Sequence, residues 1–482
     1  MKQSETPYAD ALRKYANSNV LRLNTPGHQI SESAQPALLK YFGKDLLNLD
    51  VQPNVDGIDF GIAGGPLNQS LQLAAEAWGA HRTWFLTNGA SMGNLMACLT
   101  LANLGTNLVV QRSVHSSVID GMALGGLNPT FVYPSVDSEL GIANGVTPAA
   151  LSTALNSAEN PMAAYVVTPS YFGAVADVAA LAEVAHSFGV PLIVDEAWGA
   201  HFGFHPDLPT NAIRLGADIV ISSTHKLGGS LTQTAMLHLG KTKFTEILEP
   251  LLDRSFQSLQ STSASSILLA SLDLARHGLA THGKESIKAS IAAFNEIRAG
   301  ISRVGRFADV APNLLAYPDV IATDPLRISI NTAVGGLTGH EARSILLSSH
   351  NIHCEMANAT TVVMLIGAGV IPDVQRVLAA LTELPTTQTS TQALSLPEPG
   401  ARAMRVREAY FGKTEIVEAA TAVGRVSADS VAAYPPGIPN LLPGEVITQE
   451  TVEFLQATIA QPFGHVRGGV NAELSAFRVV AS

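Results

Sequence analysis

The clearest chemical capacity in this chain lies in two tetrads, Asp195-Glu196-Ala197-Trp198 and Ser223-Thr224-His225-Lys226. Each comes directly after a short apolar run, 192–194 and 217–221. Apolar runs bounded in this way read as buried parallel strands with ligand groups at their carboxyl ends. A lysine and a carboxylate on nearby strand ends suit pyridoxal phosphate (PLP) chemistry. Lys226 would bind the cofactor aldehyde covalently, and Asp195 would keep the pyridine nitrogen protonated so that the ring accepts electrons. An arbitrary Lys/Asp pair is more often a solvated lysine and a helix cap. The neighbours change that balance: Ser223 and His225 bring hydroxyl and imidazole groups suited to a phosphate, and Ala197 is small enough to pack under a flat ring.

Further motifs stand in order along the chain: TPGH at 25–28, TNGASMGN at 87–94, RSVHSSV at 112–118, DEAWGAH at 195–201, STHKLGGSLTQ at 223–233 and YPPGIPNLLPGE at 434–445. On these the chain resembles the Orn/Lys/Arg decarboxylases, PLP enzymes of the aspartate-aminotransferase fold (fold type I). The resemblance implies that His115 stacks on the cofactor ring and that Trp198 is a further cofactor contact. It places His28 at the site entrance, Tyr171 on the substrate side, and Tyr434, Pro435 and Glu445 along the substrate pocket. It also implies that Thr262 and Ser263 reach across a dimer interface to the neighbouring subunit's phosphate, where N-capping of the next helix is the plain alternative. Two departures weaken particular positions: Gln29 comes after TPGH where the family has lysine, and Ala264 stands where relatives commonly have proline. The short stretch before TPGH implies a form without the wing domain of longer members.

The expected activity is α-decarboxylation of arginine, lysine or ornithine, with arginine slightly favoured. Another fold-type I reaction, an aminotransferase or amino-acid lyase, is the alternative. There Arg327 in DPLRISIN would act as a carboxylate clamp, since guanidinium binds carboxylates bidentately. A PLP-binding protein without catalysis is a third reading, disfavoured by the intact Asp195, His225 and Lys226.

Positioning these groups requires strands alternating with helices, which points to an α/β fold with a mostly parallel, doubly wound sheet. Strands are expected at 83–86, 109–110, 130–133, 164–168 and 231–239, with helices at 68–78, 149–157 and 178–188. Gly89, Ala90, Ser91 and Met92 open a helix directly after a strand, where backbone N–H groups and the helix dipole collect as a phosphate requires. A Ser/Thr cluster precedes a long helix within 259–278, and from 287 the pattern changes to a helix at 287–303, strands at 326–331 and 362–366, and helices at 339–350 and 372–384. The expected organisation is a PLP-binding major domain over 1–290, a small α/β domain over 291–384, a linker over 385–400 and a C-terminal α+β domain over 401–482.

Composition bounds the partners. With 29 basic against 40 acidic side chains the net charge is −11, which argues against a nucleic-acid surface and suits a cationic substrate. Cys98 and Cys354 are far apart and in no CxxC pair, so neither a disulfide framework nor a metal site is indicated, and a reducing cytoplasm is expected. The start of the chain lacks a signal-peptide core and no apolar run is long enough to cross a bilayer. A homodimer or higher homo-oligomer with shared active sites, without membrane or nucleic acid, is the expected working form.

Overall fold

The computed structural model describes residues 1–53, 55, 58, 63–386, 393–434, 438–461 and 464–481. Its largest element is a sheet of seven strands: β1 Arg82–Leu86, β2 Asn107–Gln111, β3 Asn128–Val132, β4 Ala163–Val167, β5 Leu192–Asp195, β6 Ile219–Ser222 and β7 Ala235–Leu239. Their spatial order is β1-β7-β6-β5-β4-β2-β3. Pairings from β6 through β3 are parallel, whereas β7 runs antiparallel to both β6 and β1. The two-residue period of a strand divides the apolar runs between two cores. Leu108, Val110, Tyr165 and Ile193 face the helices Gly89–Leu101 and Ser116–Gly125, and Val109, Ala164, Val166, Leu192 and Val194 face Pro148–Ser157 and Val178–Ser187. Both faces are covered, which is why these strands read as continuous hydrophobic runs.

The expected strand at 231–239 is shorter, because residues 231–234 form a turn in which Gln233 takes φ +74°. The two helices expected around 259–278 and 287–303 are one helix of 39 residues, Ser266–Val304. Ser265 caps its start, and Gly305 ends it in the left-handed conformation. Leu269, Leu272, Leu279, Ile287, Phe294, Ile297 and Ile301 form its buried stripe at helical spacing. The domain boundary expected after 290 therefore falls inside a continuous helix, which carries the chain from the large sheet to a small one.

That second sheet is antiparallel, in the order Ala308–Asp309, Arg327–Asn331, Thr361–Leu365, Met356–Ala357. Neighbouring strands pair antiparallel here, unlike those of the large sheet, but the helix Gly339–His350 still crosses from Arg327–Asn331 to the parallel Met356–Ala357, with Thr361–Leu365 between them. The last region pairs Thr414–Glu418 with Ala476–Val480 and forms a three-stranded sheet of Pro439–Leu441, Val431–Tyr434 and His465–Arg467. A buried ion pair joins this region to the major domain: Arg112 and Glu445 approach to 3.3 Å with side chains 8% and 4% exposed.

Candidate active site

Because β1, β2, β4, β5 and β6 run the same way, their carboxyl ends converge on one edge of the sheet, where ligands bind in open α/β folds. A cavity of about 630 Å³ opens there, lined among others by Ala90, His115, Asp195, Ala197, Trp198, Ser223, His225 and Lys226.

Asp195 ends β5 and is buried. Its Oδ1 accepts from the Ala197 N–H at 3.0 Å and its Oδ2 from Asn94 Nδ2 at 2.9 Å. The Tyr165 hydroxyl donates to Asn94 Oδ1 at 2.8 Å, which fixes the amide so that its donor side meets the carboxylate. Burial, with Asp195 and Cys98 beside it, holds the Tyr165 hydroxyl well above its ordinary pKa, so it remains a donor.

Lys226 lies in the short helix after β6. Burial lowers its amine to about 8, with Asp195 opposing the shift, Arg327 adding to it and Glu355 opposing it. Near neutrality a useful fraction of the amine is therefore the nucleophilic free base. His225 beside it donates Nδ1–H to the Thr234 carbonyl at 2.9 Å, and Ser223 Oγ lies 3.2 Å from the same nitrogen. Burial lowers the pKa of His225, the Thr234 bond resists this and Lys226 adds to it.

His115 serves two ends at once. Its Nδ1 accepts from the Ser117 N–H at 3.2 Å, capping Ser116–Gly125, and lies 2.8 Å from Ser117 Oγ, while the ring lines the cavity. The cap holds the plane of the ring. Burial lowers its pKa, with Asp195 opposing and Lys226 and Arg467 reinforcing.

At the end of β1, Gly89 takes φ +71°, and its N–H donates to the Gln233 carbonyl at 2.8 Å. The next N–H groups, of Ala90 and Ser91, meet no acceptor among the described residues. They open a 13-residue helix toward the cavity, an arrangement suited to an anion. Gly89, Ala90 and Ser91 line that space, whereas the Met92 side chain turns into the sheet core, away from the cradle.

Tyr171 lines the cavity as expected. Several expected residues are elsewhere in the single chain. His28 pairs with Asp50 at 3.2 Å, away from the cavity lining. Glu445 is held by Arg112 and accepts the Leu442 N–H at 2.9 Å, so it joins domains rather than lining the pocket. Thr262 and Ser263 are exposed, and the helix cap is Ser265, so capping does not account for them. Tyr434 ends a strand, and Pro435 lies outside the described residues. Arg327 is no free clamp: its guanidinium donates to the carbonyls of Ser170 at 2.7 Å and Tyr171 at 2.9 Å and lies 3.6 Å from Asp324.

Tyr165, Arg343, Glu355 and His465 belong to the site although no sequence motif marks them, and Asn94 joins them. Arg343 comes from the helix Gly339–His350, Glu355 from the bend just before the strand Met356–Ala357 and His465 from the C-terminal sheet. Asn94 had a signal, since it closes the TNGASMGN motif about one turn after Ser91.

Residues 6–325 match the model of the Orn/Lys/Arg decarboxylase major domain and residues 387–471 that of its C-terminal domain. The chain is 34% identical over 469 residues to an arginine decarboxylase of Bacillus subtilis, covering 94% of each chain. It is 32% identical to an arginine decarboxylase of Bacillus anthracis, covering 100% of this chain and 98% of that one. Among solved structures, a lysine decarboxylase of Francisella novicida superposes with a TM-score of 0.82 at 19% identity, covering 99% of this chain and 81% of that one. A serine palmitoyltransferase with bound PLP shares the fold more distantly, with a TM-score of 0.53 at 17% identity, covering 79% of this chain and 84% of that one. Two domain models matched in sequence order, and relatives aligned along nearly their whole length, agree with motifs that meet in one cavity: the chain belongs to the Orn/Lys/Arg decarboxylase family.

Proposed function

We propose that this protein is a PLP-dependent α-decarboxylase of a basic amino acid, with arginine the favoured substrate. The observation that carries the reading is the meeting of Lys226 and the doubly held Asp195 in one cavity whose remaining carboxylate is Glu355. The donor set fits the cofactor. Open N–H groups at 90 and 91 suit its phosphate, a capped imidazole and a methyl group suit the two faces of its ring, and Asp195 suits its pyridine nitrogen.

When bound, PLP supplies the sink for the electron pair left behind as CO₂ departs. The chain's own groups set up the event. Lys226 holds the cofactor and yields it to the substrate amine. Asp195, oriented by Asn94 and the Ala197 N–H, keeps a proton on the pyridine nitrogen. Val167, Met356 and Leu365 give the cavity an apolar wall that limits water. Glu355 offers a negative charge to the substrate's side-chain cation, which is the reading we favour for selection of basic amino acids.

The aminotransferase alternative loses its main residue, because Arg327 is already engaged by carbonyls and Asp324. The exposed Thr262 and Ser263 support a working dimer in which this cluster completes the neighbour's phosphate site. A cytoplasmic setting is supported by two buried free cysteines, and no helix among the described residues is long and apolar enough to cross a membrane. Incubation with arginine, lysine and ornithine, with CO₂, amine and keto acid all measured, tests the reading. Stoichiometric CO₂ and amine are expected, with arginine the best substrate, and keto acid without CO₂ would overturn it.

A further inference from the structure

We propose that the indole face of Trp198 is the docking place of the Lys226 amine whenever that amine is off the cofactor, and that Arg327 is the positioning residue that holds the indole there. Lys226 Nζ lies 3.6 Å from the centroid of the Trp198 ring, within the range of a close cation–π contact. The ring is over-determined by its surroundings. Arg327 Cζ stands 4.7 Å from the same centroid, and Arg327 Nη2 reaches the Trp198 carbonyl at 3.5 Å. Tyr171 meets the indole edge-on at 6.0 Å. Arg327 is itself immobilised by the Ser170 and Tyr171 carbonyls and by Asp324, whose Oδ1 lies 3.0 Å from His201 Nε2. The side chains of His201, Asp324 and Arg327 are all fully buried. Such a buried, hydrogen-bonded set has one arrangement.

The inference rests on the PLP reading, because it concerns the exchange in which a substrate nitrogen takes the place of Lys226 on the cofactor aldehyde carbon. In that exchange the carbon–nitrogen bond to Nζ breaks as the bond to the substrate nitrogen forms. The substrate arrives as an ammonium ion, and the proton it brings leaves on Nζ. Lys226 therefore departs as an ammonium ion, and an ammonium is what an indole face attracts. Without the ring, the released cation would lie in a buried space beside Arg327 with less to hold it, and it would compete harder to return. The dock thus favours the substrate side of the exchange, and a strand of the small sheet controls it through Arg327.

The test uses the holoenzyme and the decarboxylated product amine. Displacement of Lys226 is monitored by the change in cofactor absorbance, and the freed amine by its pH-dependent acylation and peptide mapping at saturating product amine. Trp198→Leu should raise the half-saturating amine concentration about fivefold and move the acylation midpoint of Lys226 down by about half to one pH unit, with Trp198→Phe between Leu and wild type. Arg327→Lys keeps the charge but loses the fork, and should raise the half-saturating concentration about threefold. Unchanged values in Trp198→Leu and Trp198→Phe, in protein that retains its far-ultraviolet spectrum and its PLP, overturn the dock. An Arg327→Lys variant indistinguishable from wild type overturns the brace. If borohydride fixes no PLP to Lys226 in the wild-type protein, the functional reading itself falls, and the dock falls with it.

Discussion

Adjacent carboxylates at the end of β5 are asked to do opposite things. Asp195 receives two donors, whereas Glu196 accepts one N–H from Ala212 at 2.8 Å, and its Oε2 has no partner among the described residues. Burial raises the Glu196 carboxyl well above its ordinary pKa, against the Ala212 hydrogen bond. A raised carboxyl contributes stability at acidic pH and loses it as pH rises, so Glu196→Gln should be neutral or stabilising at pH 8, which a thermal melt would read directly. Asp195→Asn should leave the fold intact but lower the decarboxylation rate at least a hundredfold, since a neutral amide cannot keep the pyridine nitrogen charged; near-wild-type turnover in a PLP-bound variant would remove Asp195 from its role. Lys226, Asp195, Ser223 and His225 were legible because each sits in a run of contiguous residues whose types suit one ligand, whereas His115 was marked only by the family resemblance. Tyr165 and Glu355 were not, nor was the task of Asn94: the hydrogen bond from Tyr165 to Asn94 and the field of Glu355 at Lys226 exist only once distant segments have folded together.

Elements hold this site through close packing, and two positions expose how. Gly93 lies in the helix that opens with the proposed phosphate cradle, and a Cβ there would stand 2.7 Å from Ile221 Cγ2 and 3.1 Å from Leu86 Cδ1. Gly93→Ala should cost about 1–3 kcal/mol in denaturant unfolding and weaken PLP retention, because the helix must lift off β1 and β6. On β7, His238 is fully buried with Nδ1 2.9 Å from Thr83 Oγ1, and burial lowers its pKa to about 3. A histidine depressed in this way contributes stability above its unfolded value of 6.5 and loses it as pH falls toward 3, so melting temperature should drop across that window. His238→Gln should flatten the drop. Most strands were legible from their apolar runs and most helices from 3.6-residue spacing. The single helix Ser266–Val304 reads as two from its residue pattern because its stripe passes through Arg276 and Gly283, a polar and a side-chain-free position that interrupt the spacing. Arg276 is buried there because it ties down the N-terminal arm through the Gln3 and Glu5 carbonyls.

For the molecule as a whole, three regions meet at one cavity, so its integrity depends on contacts between them. Removing one partner of a buried ion pair strands the other charge, and Glu445→Ala should therefore cost about 3–5 kcal/mol, read as a lowered melting temperature, with loss of product-amine affinity as the His465 strand loosens. Subunit sharing is tested by mixing two inactive variants, Lys226→Ala and the double variant Thr262→Ala/Ser263→Ala. If the cluster acts on the neighbour, activity should return toward about a quarter of wild type at equal mixing, since half the dimers are mixed and each has one intact site. The sheet order has a further consequence, for synthesis. β1 leaves the ribosome first of the seven strands, yet its only neighbour in the sheet is β7, and the Thr83–His238 pair spans 155 residues. Until that late strand arrives, β1 has no strand partner in the sheet, and the Gly89 N–H lacks the Gln233 carbonyl that tethers the proposed cradle. The growing chain therefore lacks a tethered loop at Gly89 before the last strand has been threaded between its neighbours. A phosphate-bearing aldehyde in the cell would select finished sheets, which makes cofactor capture a report that the seven strands have been correctly assembled.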